Sequence, residues 1–471
     1  MKDKLEFKIS WTLSFIPMLI FFAICMVVFV IFKVFDMHVL AAGGFIGLII
    51  GSMFVKDFEN FNKFWNSVVD GVSSRTSIEV VVILFIIGIF SQLMKSTNVS
   101  GGFLWLSEKI GMKGGIFVAF SFLSCCILST ATGSSIGTLF AAFPIFYESG
   151  VSLGANPMFL AGALMGGCIF GDNLAPISDT TIASSNTQTF KHNGMPADVT
   201  GVVGSRLKYA LVAGSITLVL FAILGGKGGG IKEGSEILVD PKPLLMLIPV
   251  VILIIVAIKT SNIYASVSTG IILGTIVGLS TGLITLEEVF HVKDGTIVGF
   301  IPDGVANMMG TVTLVISVFG IMGVLQNSGA LDKLVNSIYE SKLGETVRGT
   351  ELAIGIGIIL TTLLFGGVTS ASILTFGPIA NKLGEKAKIH PYRRANLLDG
   401  FAHGIPHNIP FLSVFVFIGS ALSGLPPSTV AKGSIYTLML FLVFLIAVLT
   451  GWGLKYEGPN GEELDKPLNN K

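Results

Sequence analysis

Residues 151–181 read VSLGANPMFLAGALMGGCIFGDNLAPISDTT, an apolar run that passes directly into a polar segment around a proline. The run up to Gly171 contains no charged residue, and it is long enough to cross a membrane, which takes about 20 apolar residues. The segment that follows carries two carboxylates, Asp172 and Asp179, on either side of Pro176. The stretch therefore predicts a membrane helix that is broken near its end.

The composition extends this prediction to the whole chain. Of its 471 residues, 30 are Lys or Arg, 29 are Asp or Glu, and 52% are apolar. Charged residues make up 13%, about half of the roughly 25% in an average soluble protein. A soluble enzyme could not cover its surface with so few charges, and a net charge of +1 leaves no basic face for nucleic acid. Membrane lipids are therefore the expected surroundings.

Further uncharged runs predict an all-α polytopic membrane protein. Nine runs, including residues 11–32 and 114–147, are as long as a span or nearly so, and three weaker candidates accompany them. We expect about ten to twelve transmembrane helices, with additional helices that enter the bilayer without crossing it. The run at 11–32 is too long for a cleaved signal peptide and is expected to remain as the first span. The expected location is the inner or plasma membrane.

The spacing of the prolines predicts two structural repeats. Three prolines recur 234 residues later, and these are Pro144, Pro157 and Pro176, repeated as Pro378, Pro391 and Pro410. A Gly-rich polar stretch separates the two copies. The predicted organisation is a first repeat at 1–226, a linker at 227–242, a second repeat at 243–456 and a polar tail at 457–471.

A second polar segment, STATGSS at residues 129–135, interrupts another apolar run. It combines five hydroxyls with Gly133, which weakens a helix. Two interpretations are open. The backbone is unwound at this point, or the small residues let neighbouring membrane helices pack closely.

The segment at 171–181 has the oxygen groups of a cation site. Pro176 has no N–H to donate and clashes with the preceding turn, so the carbonyls near Asp172 and Asn173 are expected to lose their helical partners. Carbonyl, hydroxyl and carboxylate oxygens are the ligands of hard cations, and secondary transporters present them on broken helices. The alternative is a water-facing loop whose acids are merely solvated.

The strings STATGSS and GDNLAPISDTT resemble the signature region of the NhaC-type Na+/H+ antiporter family, within the wider ion-transporter superfamily. The chain resembles the family over nearly its full length in hydropathy, and the specific residues lie at 130–135 and 171–181. The resemblance implies inverted halves whose broken helices meet at a central site. It also implies a secondary transporter that exchanges Na+ for H+ by alternating access, with no cofactor. Since some relatives move organic acids or amino acids, a Na+-coupled or H+-coupled carrier of malate, lactate or an amino acid is the alternative.

The resemblance places the transported Na+ at Asp172, Asn173, Ser178 and Asp179. Asp172 is expected to hold either Na+ or a proton, with Asp179 balancing the charge. The remaining oxygen ligands of this ion and proton site are expected to be Thr180, Thr132 and Ser134.

The second repeat does not copy the acidic pair. At the shift of 234, His407 replaces Asn173, while Pro406 and Ser413 replace the two acids. Asp399, His403 and His407 are four residues apart and would share a helix face, although Pro406 interrupts it. The residues predicted to form a second-repeat site are Thr369, Ser370, Asp399, His403, His407 and Asn408.

The histidines of this second site are open to several interpretations. They exchange protons, pack in the interior or bind zinc, although no HExxH pattern is present. A channel and an intramembrane enzyme are the rival classes. The sequence contains neither a carbonyl-ring filter loop nor a recognisable nucleophile and base.

Arg393 and Arg394 are the only paired arginines in the chain. They either anchor a cytoplasmic helix end or bind the carboxylate of a substrate. The predicted partners are thus lipids, Na+ and H+, with a small organic acid or amino acid and a second copy of the chain as further candidates.

Overall fold

The computed structural model describes residues 5–32, 36–99, 101–102, 105, 109, 111–227, 240–260, 262–330, 333 and 342–467. Most of the predicted linker, residues 228–239, lies outside the described residues, as does the end of the predicted tail. The described chain is helical apart from two short hairpins and connecting loops, which confirms the all-α prediction.

The first half of the chain forms a series of helices, and the two polar segments singled out above lie at the junctions between successive members of it. Those in the described residues are α1 (Ile16–Met26), α2 (Met37–Ser52), α3 (Phe58–Val72), α4 (Arg75–Ser96), α5 (Gly114–Thr132), α6 (Ser135–Ser152), α7 (Pro157–Leu174), α8 (Asp179–Asn186) and α9 (Val199–Leu224). A 3-10 turn at Trp11–Phe15 precedes α1 and a π-helical turn at Val27–Ile31 follows it.

The second half has a similar series of helices. They are α10 (Leu247–Thr260), α11 (Ile263–Thr281), α12 (Leu286–Val289), α13 (Phe300–Asn327), α14 (Val347–Leu364), α15 (Thr369–Lys386), α16 (Pro391–Ala402), α17 (Val414–Ser423), α18 (Pro427–Gly433) and α19 (Ile435–Thr450). Short 3-10 turns lie at Lys242–Met246, Lys342–Glu345 and Ile405–Asn408. The antiparallel hairpins are β1 (His291–Lys293) with β2 (Thr296–Val298), and β3 (Tyr456–Glu457) with β4 (Glu463–Leu464).

Several of these helices are long and apolar enough to cross a membrane. Among the described residues six qualify by length and composition, or eight if α7 with α8 and α17 with α18 each form one bent span. These pairs bend by 41° and 106°. Four shorter apolar helices, at Trp11–Cys25, Met37–Ser52, Lys242–Ala257 and Ile435–Thr450, add to the total. The predicted ten to twelve spans therefore depend on these short helices.

The sequence signals at the helix ends explain where α5 ends and α6 begins. Gly133 adopts a φ of +67° between α5 and α6, a left-handed conformation that glycine reaches at little cost. Ser134 then caps α6 by accepting a hydrogen bond from the backbone N–H of Gly137, as helix-capping serines do. The 129–135 segment is therefore a break between two helices.

The corresponding helices of the second half have the predicted spacing. α15 begins and ends 234 residues after α6, and both contain an internal proline. α16, like α7, has a proline in its first turn. Gly367, which precedes α15, has a φ of +81°. The inverted repeat nevertheless remains a prediction, since these helices cover only part of each half.

Close packing brings the end of α7 against the end of α5. A Cβ on Gly171 would lie 2.4 Å from the backbone nitrogen of Thr130, so only glycine permits this approach. The Ser129 hydroxyl donates to the carbonyl of Cys168 at 2.6 Å. As a result, the polar end of α7 lies next to the break between α5 and α6.

Candidate ion-binding site

A cavity of about 470 Å³ lies where the broken helices meet. The break between α5 and α6 and the start of α15 both line it, together with the end of α7 and the start of α8. The charged side chains among its described lining residues are Glu79, Asp172 and Asp179, which are all acidic. Such a cavity favours cations.

Asp172 is buried in the wall of this cavity and is held by two hydroxyl groups. The residue is only 3% exposed. Ser135, at the start of α6, donates to Oδ2 at 2.6 Å, and Ser178, before α8, donates to Oδ1 at 2.6 Å. These two hydroxyl donors fix the orientation of the Asp172 carboxylate in the cavity wall.

The carbonyls freed by Pro176 are bound by side chains. Arg206 on α9 donates to the carbonyl of Asn173 at 2.6 Å, and the hydroxyl of Thr181 lies 3.5 Å from the carbonyl of Asp172. Side-chain donors thus replace the helical hydrogen bonds that are lost at this helix break, because buried carbonyls without partners are costly.

A buried polar network extends from this break into the second half. The side-chain amide nitrogen of Asn173 donates to Asp399 Oδ1 at 3.1 Å, while Arg206 forms a short ion pair with Asp399 Oδ2. His403 Nδ1 lies 2.5 Å from Asp399 Oδ1, and its Nε2 lies 3.5 Å from Asp172 Oδ2. The second distance is an ion-pair separation without a hydrogen bond. His403 therefore connects the carboxylates of the two halves.

His407 is separated from that network. The chain leaves α16 after Ala402, so His407 lies on the following 3-10 turn. Its Nδ1 is 3.1 Å from the Ser413 hydroxyl and its Nε2 is 3.4 Å from the Thr369 hydroxyl. The expected shared helix face thus extends from Asp399 to His403 only, because the helix ends before Pro406.

The predicted site residues fall into three groups. Those that line the cavity are Thr132, Ser134, Asp172, Asp179, Thr180, Thr369 and Ser370. Those that are buried behind the lining are Asn173, Ser178, Asp399, His403 and His407. Those that lie elsewhere are Asn408, which binds the backbone of Ala431 and Ser434, and the arginines Arg393 and Arg394.

The two arginines have partners of their own. Arg393 forms a buried ion pair with Glu351 at 2.6 Å and donates to the Tyr209 hydroxyl at 2.7 Å. Arg394 donates to the backbone carbonyls of Asn381 and Thr189 at 3.0 and 2.9 Å. These contacts fix the start of α16 to its neighbours.

Sequence reasoning missed Arg206 and did not assign Ser135 to the site. Arg206 is fully buried, and the available signal was an arginine within a largely apolar helix that also carries Lys208. Charged residues in membrane helices are functional candidates. Ser135 was part of the quoted 129–135 segment, but nothing in the pattern separates its direction from that of Ser134. In the described part of the chain, no group of three or more His, Cys, Asp or Glu side chains is arranged to hold a metal ion.

Comparison with known proteins gives low but extensive similarity to antiporters. The malate-2H+/Na+-lactate antiporter of Bacillus subtilis (strain 168) is 27% identical, over 64% of this chain and 65% of the relative, just under two thirds of its length. The arginine/ornithine antiporter ArcD of Halobacterium salinarum is 24% identical, over 84% of each chain. The Na+/H+ antiporter NhaC of Bacillus subtilis (strain 168) is 24% identical, over 82% of this chain and 87% of the relative.

A family model matches most of the chain. It covers residues 5–225 and 237–452. These ranges include both halves of the chain, the helix breaks at 129–135 and 171–181, and the buried polar network that links the halves. Together with the apolar helices, this match identifies a multi-pass membrane protein, and the chain belongs to the Na+/H+ antiporter family.

Proposed function

We propose that this protein exchanges Na+ for H+ across the cell membrane, with Asp172 as the group for which the two ions compete. The observation that carries the proposal is the position of Asp172, buried in the wall of an acidic cavity between the hydroxyls of Ser135 and Ser178. The family match supports it.

Competition follows from the cost of burying charge. A carboxylate in poorly hydrated surroundings is stable only when a cation or a proton neutralises it. Na+ and H+ use the same lone pairs, so binding of one releases the other. Oxygens of Thr132, Thr180 and Asp179, which line the same cavity, are suited to complete the shell of the cation.

Alternating access requires that the cavity open to each side in turn. The helix breaks that line it belong to both halves of the chain. We propose that one half rocks against the other around these breaks, as in transporters built from broken helices.

The test is Na+-driven proton movement in proteoliposomes that contain a pH-sensitive dye. We expect a Na+ gradient to change the internal pH with the wild type and to have no effect with Asp172→Asn, which retains the shape of the side chain without its charge. Glu59→Gln is the matched control, since Glu59 lies on the surface beside Lys63. Exchange that persists in Asp172→Asn would reject the proposed site.

A second candidate is exchange of a small carboxylate coupled to Na+ or H+. The volume of about 470 Å³ lies within the range of small-molecule sites, about 300–1,000 Å³, and one relative is a malate and lactate antiporter. The acidic lining and the position of Arg393 outside the cavity favour a cation instead. A pH change that appears only when malate or lactate is added would select this candidate.

A further inference from the structure

The guanidinium of Arg206 is enclosed by oxygen atoms from α8, from α16 and from the end of α7. Its Nη1 binds the Asp399 carboxylate and lies 2.6 Å from the carbonyl of Asn173 and 3.2 Å from the hydroxyl of Thr181. Its Nη2 lies 3.1 Å from the Ser184 hydroxyl. All of these groups are buried.

This set of oxygens has the composition of an alkali-cation site. One carboxylate, one backbone carbonyl freed by a helix break and two hydroxyls are the ligand types that hard cations select. The set resembles the surroundings of Asp172, where a carboxylate also meets hydroxyls beside the same break. The side-chain oxygen of Asn173 is buried as well and has no hydrogen-bond partner among the described residues.

Stability alone does not account for this arginine. A buried ion pair is on average no better than an apolar pair of the same volume, because both charges must leave water. The Arg393 and Glu351 pair is also buried, but it lies outside the cavity lining. The Arg206 pair instead reaches the transport site directly, since Asn173 follows Asp172 in the chain and His403 lies between Asp399 and Asp172.

We propose that Arg206 is a tethered cation that fills a second alkali-ion site, formed by the Asp399 carboxylate, the Asn173 carbonyl and the hydroxyls of Thr181 and Ser184. The side chain neutralises Asp399 permanently. The protein therefore binds one Na+, at Asp172, where a chain without this arginine would bind two. The inference rests on the proposed function in taking Asp172 as the Na+ site.

The test is the number of Na+ ions bound by the purified protein in detergent, measured with radioactive sodium by equilibrium dialysis. The wild type is expected to bind one and Arg206→Ala to bind two. The double variant Arg206→Ala with Asp399→Asn is expected to return to one. Arg206→Lys, which retains a tethered charge, is also expected to bind one. Free guanidinium at millimolar concentration is expected to displace one of the two ions from Arg206→Ala.

The outcomes separate this inference from the proposed function. If the wild type binds no Na+, or if Asp172→Asn binds as much as the wild type, the proposed function fails. If the wild type binds one Na+ and folded Arg206→Ala also binds only one, the tethered-cation inference fails and the proposed function stands. Failure of Arg206→Ala to fold in either Na+ or guanidinium would also overturn the inference, because a free cation is expected to replace the side chain.

Discussion

Asp172 uses each carboxylate oxygen for one short hydrogen bond from a serine. A carboxylate offers about four lone-pair positions, so capacity for a cation remains on both oxygens. The two serines come from two different helix breaks: Ser135 opens α6, after the break that follows α5, and Ser178 precedes α8, in the break that follows α7. The geometry of this single side chain thus depends on both broken segments.

Removal of one of these hydroxyls should weaken Na+ binding relative to proton binding. In Ser135→Ala the anionic carboxylate loses a donor at 2.6 Å, and such bonds to charged groups contribute about 1.5–3 kcal/mol. We expect the Na+ concentration for half-maximal transport to rise by about tenfold or more, since about 1.4 kcal/mol is a factor of ten.

Ser149→Ala is the control for that measurement. Ser149 is buried on the same helix and donates to the carbonyl of Ile145 at 3.0 Å, and it does not line the cavity. Equal changes in half-maximal Na+ concentration for the two variants would contradict a specific role of Ser135.

Single residues were predictable from the sequence where a local pattern marked them. Asp172 stood out because a carboxylate at the end of an apolar run beside a proline is unusual. Arg206 did not, because its partner Asp399 is 193 positions away in the chain and only folding brings them together. For Asn173 the residue was found but its direction was not, since its amide turns to Asp399 and away from the cavity.

At the scale of elements, the break between α5 and α6 touches the break between α7 and α8. The Cβ of an alanine at position 133 would lie 2.5 Å from the side chain of Ile177 and 3.2 Å from its carbonyl carbon. Gly133 therefore provides both a left-handed turn and space for the neighbouring break.

Gly133→Ala should accordingly impair transport more than a comparable substitution elsewhere. A left-handed alanine costs about 1–2 kcal/mol by itself, and the contact with Ile177 would displace the segment that holds Ser178. Gly154→Ala is the control, since its φ is +77° and nothing lies within 4 Å of the point that a Cβ would occupy there. We expect both variants to lower the melting temperature, and only Gly133→Ala to lower the maximal exchange rate several-fold. Equal exchange rates would contradict this role.

The C-terminal hairpin β3–β4 is a second element to which one side chain, that of His390, makes a defined contact. His390 accepts a hydrogen bond from the backbone N–H of Tyr392 through Nδ1 and, in the tautomer this requires, donates from Nε2 to the carbonyl of Gly461 at 3.0 Å. These bonds need a neutral imidazole. Burial lowers the pKa of His390 below its ordinary value, in agreement with this requirement.

The hairpin should therefore loosen in acid. Above the ordinary histidine pKa of about 6.5 both the docked and the undocked states are neutral at His390, so docking does not depend on pH. As the pH falls below that value the undocked state takes up a proton first, and docking weakens. The melting temperature of the wild type should fall relative to His390→Asn, which can cap the helix without titrating. Parallel pH profiles for the two proteins would contradict this.

The sequence predicted the helix breaks better than the number of spans. Prolines and glycines at fixed spacing marked the starts of α7 and α16 and the break before α6, because these residues act locally. Whether a short apolar helix crosses the membrane depends on the helices that pack against it, and the sequence of the helix itself does not identify them. The tail was predicted only as polar, and its first part forms a hairpin that contacts His390.

At the scale of the whole molecule, the two halves meet through the network behind the cavity. Asn173 and Arg206 from the first half both bind Asp399 from the second, and Arg206 also binds Asn396 at 3.0 Å. If one half moves against the other, this contact must therefore either move as a unit with one of the halves or lie at the pivot of the motion. The proposed site of ion competition, at Asp172, lies next to this contact, so we expect its occupancy to influence how the halves pack.

The competition between Na+ and H+ is tested most directly by proton release from the purified protein in weakly buffered detergent solution. Addition of Na+ should release protons from the wild type, with an amplitude that falls as the pH rises because fewer sites then carry a proton. Asp172→Asn should release none. Release of the same number of protons from Asp172→Asn, or binding of Na+ to the wild type without any release across the pH range of transport, would contradict the account.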